Sequence, residues 1–323
     1  MRRRILSGMR TTGRLHLGNL FGALKNWVAL QDDYECYFEV ADLHGLTTEY
    51  QHTDLYPEWV EEMIVDWLIA GIDPQKSVIL IQSKVPAHAE LHLIFSMLVT
   101  VARLQRNPTI KEQARDLGLL DLINYGHLGY PVLQAADILI YKGEVVPVGE
   151  DQLPHLEITR EIARRFNSLY GKVFPEPEPL LTRYPRLPGI DGKRMSKSLG
   201  NTIILDEDPE SIRTKVMKMF TDPTKIRKTD PGHPDRCPVH TYHGLFTTDI
   251  DEFGISCREG RLGCVEHKEI VAQLLIDGLA PFRTKREGVK KELKGIIEDG
   301  LNRARKTAAE TMAEVRRAMK LNY

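Results

Sequence analysis

The chain has 323 residues, enough for about two domains of ordinary size. Its 44 Lys and Arg residues nearly balance 45 Asp and Glu residues, so the overall charge does not indicate a polybasic nucleic-acid-binding protein. No apolar run approaches the ~18 residues of a membrane span, and no apolar segment of a signal peptide follows the first residues, MRRR. The four cysteines, one alone and three clustered late, do not form a disulfide framework, so we expect a cytoplasmic protein.

Strand and helix patterns alternate through the first half of the chain. RILSG (4–8) is a short apolar run that stops at a glycine, and the helical pattern LGNLFGALKNWVALQ (17–31) follows it. Further β-rich runs occupy 36–40, 77–82 and 144–149, and residues 59–68 have helical spacing with Glu61, Glu62 and Asp66 on the polar face. This alternation predicts an α/β fold in which helices cover a parallel sheet.

The second half is mainly helical. The proline-rich stretch 174–189 is typical of a connector, and helical patterns follow at 208–220, at 268–282 and from about Glu287. We therefore expect two domains, 1–195 and 196–323, with a boundary near 190–205. Residues 283–323 hold twelve Lys and Arg against six Asp and Glu, which suits either a solvated helix face or a surface for a polyanion.

Two separated segments carry residues suited to bind phosphate. In TTGRLHLGN (11–19), a glycine-rich turn joins a strand to a helix, His16 can donate to phosphate, and Gly18 leaves room for a nucleotide against the backbone. In GKRMSKSLGN (192–201), Lys193, Arg194 and Lys197 concentrate positive charge on a predicted mobile loop, where cations can stabilise charge on a phosphate chain. Each segment alone is weak evidence, but the pair indicates a nucleotide site.

These motifs resemble a known family. HLGN and RMSKS, with YPVLQAADILIYKGEVVPVGEDQLPHLEITREIARRFN (130–167) between them, are similar to class I aminoacyl-tRNA synthetases of the tryptophanyl branch. The resemblance covers most of residues 1–205 and is looser beyond them. It implies a Rossmann-like catalytic domain with an inserted dimerisation segment, a helical anticodon-binding domain and a homodimer.

The same resemblance implies tryptophan–tRNA ligase activity, with ATP and Mg²⁺, L-tryptophan and tRNA(Trp) as partners and with neither a membrane nor DNA. A tyrosyl-tRNA synthetase remains an alternative, because such enzymes also place an aspartate against the ring hydroxyl of their substrate. A non-charging, metal-linked nucleic-acid-binding paralogue is the second alternative.

The resemblance also implies site residues. The catalytic set is His16, Arg194, Lys197 and Lys111. The ATP-binding set is Arg10, Thr11, Thr12, Gly18, Asn19, Gly149, Glu150, Asp151, Arg194, Met195, Ser196, Lys197 and Ser198. The tryptophan-binding set is Asp137, Tyr130, Gln134, His44, Val146, Val148 and Gln152. An indole offers one donor and no acceptor, so the acceptor-only carboxylate of Asp137 matches it. The family often has proline where this chain has Thr11, and lysine where it has Arg194.

A late cluster reads C-x19-C-x6-C-x2-H, formed by Cys237, Cys257, Cys264 and His267. Three thiols and an imidazole are a sound donor set for a tetrahedral metal. Some family members carry four cysteines in a similar arrangement and hold a [4Fe–4S] cluster. Because His267 replaces the last cysteine, an iron–sulfur cluster, zinc and no metal all stay open.

We also expect contacts with tRNA phosphates from the basic C-terminal region and from five further residues. These are Lys215, Lys218, Lys225, Arg227 and Lys228.

Overall fold

The structure is a computed structural model, and it describes residues 2–110, 115, 123–181, 187–193, 195–220, 222 and 224–323, with only the backbone of Ser198. Five parallel strands form one sheet in the order β3-β2-β1-β4-β5, the arrangement of a Rossmann-like fold. The strands are β1 Arg4–Arg10, β2 Glu35–Ala41, β3 Ser77–Ile81, β4 Val145–Val148 and β5 Glu178–Leu181. The predicted α/β class and the first four strands are confirmed.

The strand β5 corrects the sequence prediction, which treated 174–189 as a connector throughout. Pro179 lies inside β5 and pairs in register with Val146. Proline cannot donate to a ladder, and it is tolerated here because β5 is the edge strand and pairs only with β4.

Helices occupy most of the remaining described chain. In the first half they are α1 Leu17–Asn19, continued by the π-helical Leu20–Leu24 and by α2 Lys25–Leu30, then α3 Asp42–Glu49, α4 Tyr56–Ala70, α5 Ala87–Ser96, α6 Val101–Gln105 and α7 Tyr125–Ile140. In the second half they are α8 Leu153–Tyr170, α9 Pro209–Met217, α10 Pro238–His243, α11 Ile250–Arg258, α12 Cys264–Thr284 and α13 Arg286–Ala318. Among the described residues, none of these helices combines the length and the apolar character needed to cross a bilayer.

Helix α4 differs from its predicted amphipathic pattern. Glu62 and Asp66, expected on the polar face, are only 7% and 1% exposed to solvent, whereas Glu61 is exposed. Residues 62–67 are all buried, which a single helix face cannot provide. Neighbouring structure therefore covers α4 on most sides, a tertiary effect that periodicity does not reveal.

The chain forms two compact units. The first comprises Met1–Gly13, Val28–Thr182 and Lys291–Tyr323, and the second comprises Arg14–Trp27 and Arg183–Lys290. The predicted domains 1–195 and 196–323 stay a prediction, since these units are assembled from interleaved segments.

Backbone hydrogen bonds explain why 14–27 joins the second unit. The amide of Leu17 donates to the carbonyl of Ile203, and the amide of Leu205 donates to the carbonyl of Leu15, each at 3.0 Å.

The end of α13 belongs to the core of the first unit. Its apolar residues Leu301, Ala304, Ala308, Met312 and Val315 pack in the same buried cluster as the sheet residues. At Gly300 the helix backbone lies so close to β3 that a Cβ would stand 1.9 Å from the carbonyl oxygen of Ile79.

Candidate active site

His16 organises the turn in the second unit. Its Nδ1 accepts the amide of Gly18 at 3.1 Å, and its own amide donates to Oδ1 of Asn19 at 3.0 Å. Burial, and then the positive charge of Lys197, lower the pKa of His16 to about 4. The ring is therefore neutral at pH 7, and because Nδ1 accepts, its proton is on Nε2. His16 is thus set to donate one hydrogen bond to an anion.

Gly18 is crowded by the protein itself. A Cβ there would lie 2.9 Å from Cε1 of His16 and 3.1 Å from Sδ of Met195. The missing side chain of Gly18 therefore makes room for His16 and Met195, two predicted site residues, in addition to any room it leaves for a nucleotide.

The basic loop is anchored by Asn201, which is buried. Its Oδ1 accepts the amide of Ser196, and its Nδ2 donates to Oδ1 of Asp191, both at 2.8 Å. A Cβ at Gly189 would stand 2.4 Å from this amide nitrogen. Asn201 was not assigned a role from the sequence, although it closes the quoted motif. It holds the base of the loop that carries Lys197.

The two motifs lie together although about 180 residues separate them. His16 forms an isolated antiparallel bridge with Ile204, directly after the basic loop, and Lys197 is close enough to depress the pKa of His16. Both belong to the second unit. The predicted residues Arg194 and Lys111 and the side chain of Ser198 lie outside the described residues.

Asp137 lies on α7 in the first unit with 2% of its surface exposed. Its Oδ1 accepts from Nε2 of Gln82 at 2.8 Å and from Nδ1 of His88 at 2.6 Å, and its Oδ2 accepts from Nε2 of His44 at 2.8 Å. Burial alone would raise the pKa of Asp137, but the hydrogen bonds from His44 and His88 outweigh it and hold that pKa well below its usual range. The result is a buried carboxylate fixed by three donors.

Gln82 and His88 were not found from the sequence. Gln82 follows the carboxyl end of β3, where parallel sheets place binding residues, and that position could have identified it. His88 lies on α5, and no motif or spacing connects it with Asp137.

Tyr130 faces a chain of fixed hydrogen bonds. The amide of Thr109 donates to Oδ1 of Asn107, so Nδ2 of Asn107 donates to Nδ1 of His155 at 3.0 Å. Burial lowers the pKa of His155 to about 4, so its ring is neutral and its Nε2–H donates to the Tyr130 oxygen at 2.6 Å. The hydroxyl hydrogen of Tyr130 is consequently directed elsewhere and can be donated to a ligand.

Several buried polar atoms near Tyr130 have no hydrogen-bond partner among the described residues. They are Nε of Arg10, Oγ1 of Thr11, the hydroxyl of Tyr56 and both ring nitrogens of His127. The Arg10 side chain is also desolvated, which lowers its pKa. Buried polar atoms are normally paired, so such a group is typical of a site that a polar ligand completes.

The segment VPVGEDQ lies at the end of β4. Val146 and Val148 are buried in the core, and Gly149 precedes a short turn over Glu150–Gln152. A Cβ at Gly149 would stand 2.7 Å from Oδ1 of Asp151, whose other carboxylate oxygen accepts from Nε2 of Gln152 at 3.1 Å. Gln134 is half-buried and lies one turn before Asp137 on α7.

The cysteine cluster forms one pocket in the second unit. Cys237, Cys257, Cys264 and His267 all line it, and the missing side chain of Gly232 leaves room for Sγ of Cys257, 2.5 Å from where a Cβ would stand. No three of these four residues have donor atoms within 4.8 Å of one another, so the pocket does not contain a preformed tetrahedral set of ligands.

His267 is committed elsewhere in this arrangement. Its Nε2 is 2.8 Å from Nδ1 of His243 in a buried histidine pair. Three thiols therefore fit a soft metal group, while His267 does not offer Nε2 as the fourth ligand.

Three of the five residues expected to contact tRNA are engaged within the protein, since Nζ of the exposed Lys228 also lies 2.9 Å from the Glu266 carboxylate. Nζ of Lys215 lies 2.5 Å from Glu207, and the buried Lys225 donates to the carbonyl oxygens of Lys228 and Asp230. Lys215 and Lys225 use their charge in local structure, so a contact of either residue with tRNA would have to replace these partners. Lys218, Arg227 and Lys228 are exposed.

The depressed pKa values of His16 and His155 predict acid-sensitive folding. Each is about 4 in the folded protein against an ordinary value of 6.5, so the unfolded chain binds more protons between these values. Stability is therefore retained above pH 6.5 and lost as pH falls towards 4, by about 1.4 kcal/mol for each pKa unit. Denaturant unfolding at about pH 7 and about pH 5 measures this loss.

A matched pair of variants isolates the effect. His155→Gln should reduce the slope of stability against pH by about one proton, whereas the exposed His52→Gln should leave it unchanged. Equal slopes in both variants would contradict the assignment to His155.

Comparisons with known proteins agree with this geometry. A family model described as tRNA synthetases class I (W and Y) matches residues 1–280. The chain is 49% identical to the tryptophan–tRNA ligase of Thermotoga maritima, covering 99% of this chain and 100% of that protein. It is 44% identical to the tryptophan–tRNA ligase of Aquifex aeolicus, covering 98% and 100%. The structure of tryptophanyl-tRNA synthetase from Campylobacter jejuni, complexed with ADP and tryptophan, is similar with a TM-score of 0.88 at 31% identity, covering 98% of this chain and 99% of that one.

Proposed function

The chain belongs to the class I tRNA synthetases for tryptophan and tyrosine and, like its full-length relatives, is a tryptophan–tRNA ligase; we propose how its own residues carry out that reaction. The observation that carries the proposal is the buried Asp137 carboxylate, fixed by three N–H donors and able to accept one more. An indole N–H satisfies that acceptor, and tryptophan is the amino acid that supplies one.

The first step joins tryptophan to ATP, which enters with Mg²⁺. An oxygen of the tryptophan carboxylate attacks the α-phosphorus, the bond from that phosphorus to the bridging oxygen breaks, and pyrophosphate leaves with the electron pair. Lys197 and the Nε2–H of His16 stabilise charge on the phosphates, with Arg194 and Lys111 proposed in the same role. No protein nucleophile is needed, because holding the substrates in line supplies much of the rate.

Residues of the first unit hold the amino acid. Tyr130, aligned by His155, keeps a donor for the polar end of tryptophan, and the unpaired atoms of Arg10 and His127 offer further contacts. His44, Gln134, Val146, Val148 and Gln152 complete the proposed pocket. The ATP ribose is assigned to Gly149 and Asp151, with Glu150 beside them. The remaining nucleotide contacts are assigned to Thr11, Thr12, Gly18, Asn19, Met195, Ser196 and Ser198.

The second step transfers the acyl group from the adenylate to the terminal ribose of tRNA(Trp), and AMP leaves. Lys218 and Arg227 supply exposed positive charge for tRNA phosphates, together with the basic C-terminal segment. Part of that segment's charge is internal, since Arg316 pairs with Glu90 and Arg303 donates to the carbonyl of Pro74.

We also propose a homodimer acting in the cytoplasm. Large apolar side chains of Leu93, Met97, Val101 and Tyr125 are each more than half exposed in the first unit. Such a group on a monomer is typical of a surface that a partner covers. Light scattering of the purified protein measures the assembly directly.

Amino-acid-dependent ATP–pyrophosphate exchange tests the activity. Exchange with tryptophan and none with tyrosine is the expected result. Exchange with tyrosine would favour the tyrosyl alternative, and no exchange with either would favour a paralogue that does not charge tRNA.

For the cysteine pocket we infer an iron–sulfur cluster held by Cys237, Cys257 and Cys264, with a structural role near the proposed tRNA-binding part. The donors are three thiols that line one pocket, and thiolates are the ligands that iron–sulfur clusters use. Anaerobic preparation should give brown protein with iron and sulfide, and Cys257→Ser should lose both. Colourless protein without iron would refute the cluster and leave the synthetase activity untouched.

A further inference from the structure

A second carboxyl group lies behind Asp137 and has no part in the mechanism above. Glu39 is in the middle of β2, and only 1% of it is exposed. One oxygen of Glu39, one oxygen of Asp137 and a nitrogen of His88 lie within 4.8 Å of one another. Gly8 of β1 is paired with Glu39 in the sheet. A Cβ at Gly8 would stand 3.6 Å from Oε1 of Glu39, so the glycine leaves the carboxyl uncrowded on that side.

The Glu39 carboxyl has no lysine or arginine partner among the described residues. Its Oε2 has no hydrogen bond among the described residues and stands 3.6 Å from Nδ1 of His88. The hydrogen on that nitrogen is already given to Asp137 at 2.6 Å. Burial, and then repulsion from Asp137 and Asp42, raise the pKa of Glu39 well above its usual range. The pair therefore holds one negative charge, and the charge is on Asp137.

The remaining neighbours do not change this assignment. The titratable groups that interact with Glu39 are Asp42 of α3, His88 of α5, Asp137 of α7 and Tyr141, which directly follows α7. His44 of α3 and His92 of α5 interact with Asp137. The hydroxyl of Tyr141 is 2.7 Å from Nε2 of His88, which directs the Nδ1–H of His88 towards Asp137. None of these groups is a lysine or arginine that would stabilise a second anion.

We propose that Glu39 is a positioning residue for tryptophan recognition: it stays protonated, so that His88 donates to Asp137 alone and Asp137 remains the acceptor for the indole. This inference rests on the tryptophan-binding role proposed for Asp137. If Glu39 ionised, it would compete for the His88 hydrogen and repel Asp137. The carboxylate would then turn or take up a proton, and in both cases it would lose the oriented acceptor.

Tryptophan binding should therefore weaken at the alkaline pH at which Glu39 loses its proton. The KM for tryptophan should rise about tenfold as Glu39 ionises, which corresponds to one weakened charge-assisted hydrogen bond, while kcat changes less. Glu39→Gln is neutral at every pH and has nearly the same shape. It should keep the neutral-pH KM within about twofold of wild type and lack the alkaline rise.

The experiment measures kcat and KM for tryptophan in ATP–pyrophosphate exchange from about pH 6 to about pH 10. The control is Glu35→Gln, on the same strand but partly exposed and paired with Arg4, which should follow the wild-type profile. Titration of the free tryptophan amino group is common to all three proteins and cancels in the comparison. An alkaline rise in Glu39→Gln equal to that of wild type overturns the proposal, as does a tenfold higher KM at neutral pH.

A second measurement covers the case in which Glu39→Gln does not fold. Infrared spectroscopy of the wild-type protein at about pH 8 should show the carbonyl stretch of a protonated carboxyl, since ordinary carboxyl groups are ionised there. Its absence refutes the proposal. Absence of any tryptophan-dependent exchange would instead refute the proposed function, so the two failures are distinguishable.

Discussion

Asp137→Asn is expected to lower kcat/KM for tryptophan in ATP–pyrophosphate exchange by at least about a thousandfold, because a site that hydrogen-bonds its substrate discriminates strongly. Asparagine has one acceptor oxygen, and its NH₂ group would face N–H donors of His44, His88 or Gln82. The donors then lose a partner and the indole N–H loses its acceptor. Steady-state exchange with tryptophan as the varied substrate measures the loss.

The control for this variant is Asp32→Asn. Asp32 is an exposed carboxylate paired with Lys76, and surface pairs of this kind contribute little to stability. Its activity should equal that of wild type. If Asp137→Asn folded normally and kept its kcat/KM for tryptophan within about tenfold of wild type, Asp137 would not be the indole acceptor.

Lys197→Met should reduce kcat for adenylate formation by about 10² to 10³ with little change in the KM for tryptophan. The methionine keeps much of the side-chain length and removes the charge that acts on the phosphates. The neutral His16 cannot replace that charge, since its pKa of about 4 leaves it unprotonated at pH 7. Single-turnover formation of the adenylate under saturating ATP measures the effect.

Lys193→Met is the matched control, because Lys193 is an exposed cation of the same loop. It should change kcat by less than about threefold if charge must lie at the position of Lys197 and general positive charge is not enough. Equal losses in both variants would mean that the loop acts through its overall charge.

The sequence predicted the sheet well and its edge poorly. Strands β1 to β4 were visible because buried parallel strands are continuous apolar runs, such as residues 36–40 and 77–82. Strand β5 contains Pro179 and exposed residues, so its propensity indicates a loop, and only pairing with β4 makes it a strand. The prediction that Glu62 and Asp66 lie on an exposed face of α4 was wrong for a related reason, because their burial depends on distant segments of the chain.

Candidate site residues were proposed from the sequence in those cases in which a single contiguous motif carries the chemistry. His16 and Lys197 lie in short segments whose residue types suit phosphate, and Asp137 lies in a quoted segment. The groups that set its charge and orientation come from separate elements: Gln82 after β3, His88 on α5 and Glu39 on β2. Glu39 was quoted only as part of a strand pattern, because periodicity cannot show which buried residue faces another.

The composition of the first unit has a consequence for biosynthesis. Its core includes apolar residues of α13 beyond Lys291, while its preceding segment ends at Thr182. At about 5–20 residues per second, a ribosome needs roughly seven to thirty seconds to add the intervening residues and that helix. During this interval the nascent sheet lacks part of its covering layer, and its apolar surface stays exposed until α13 has been synthesised. A chain stalled before residue 291 would be a substrate for proteolysis rather than a smaller working enzyme.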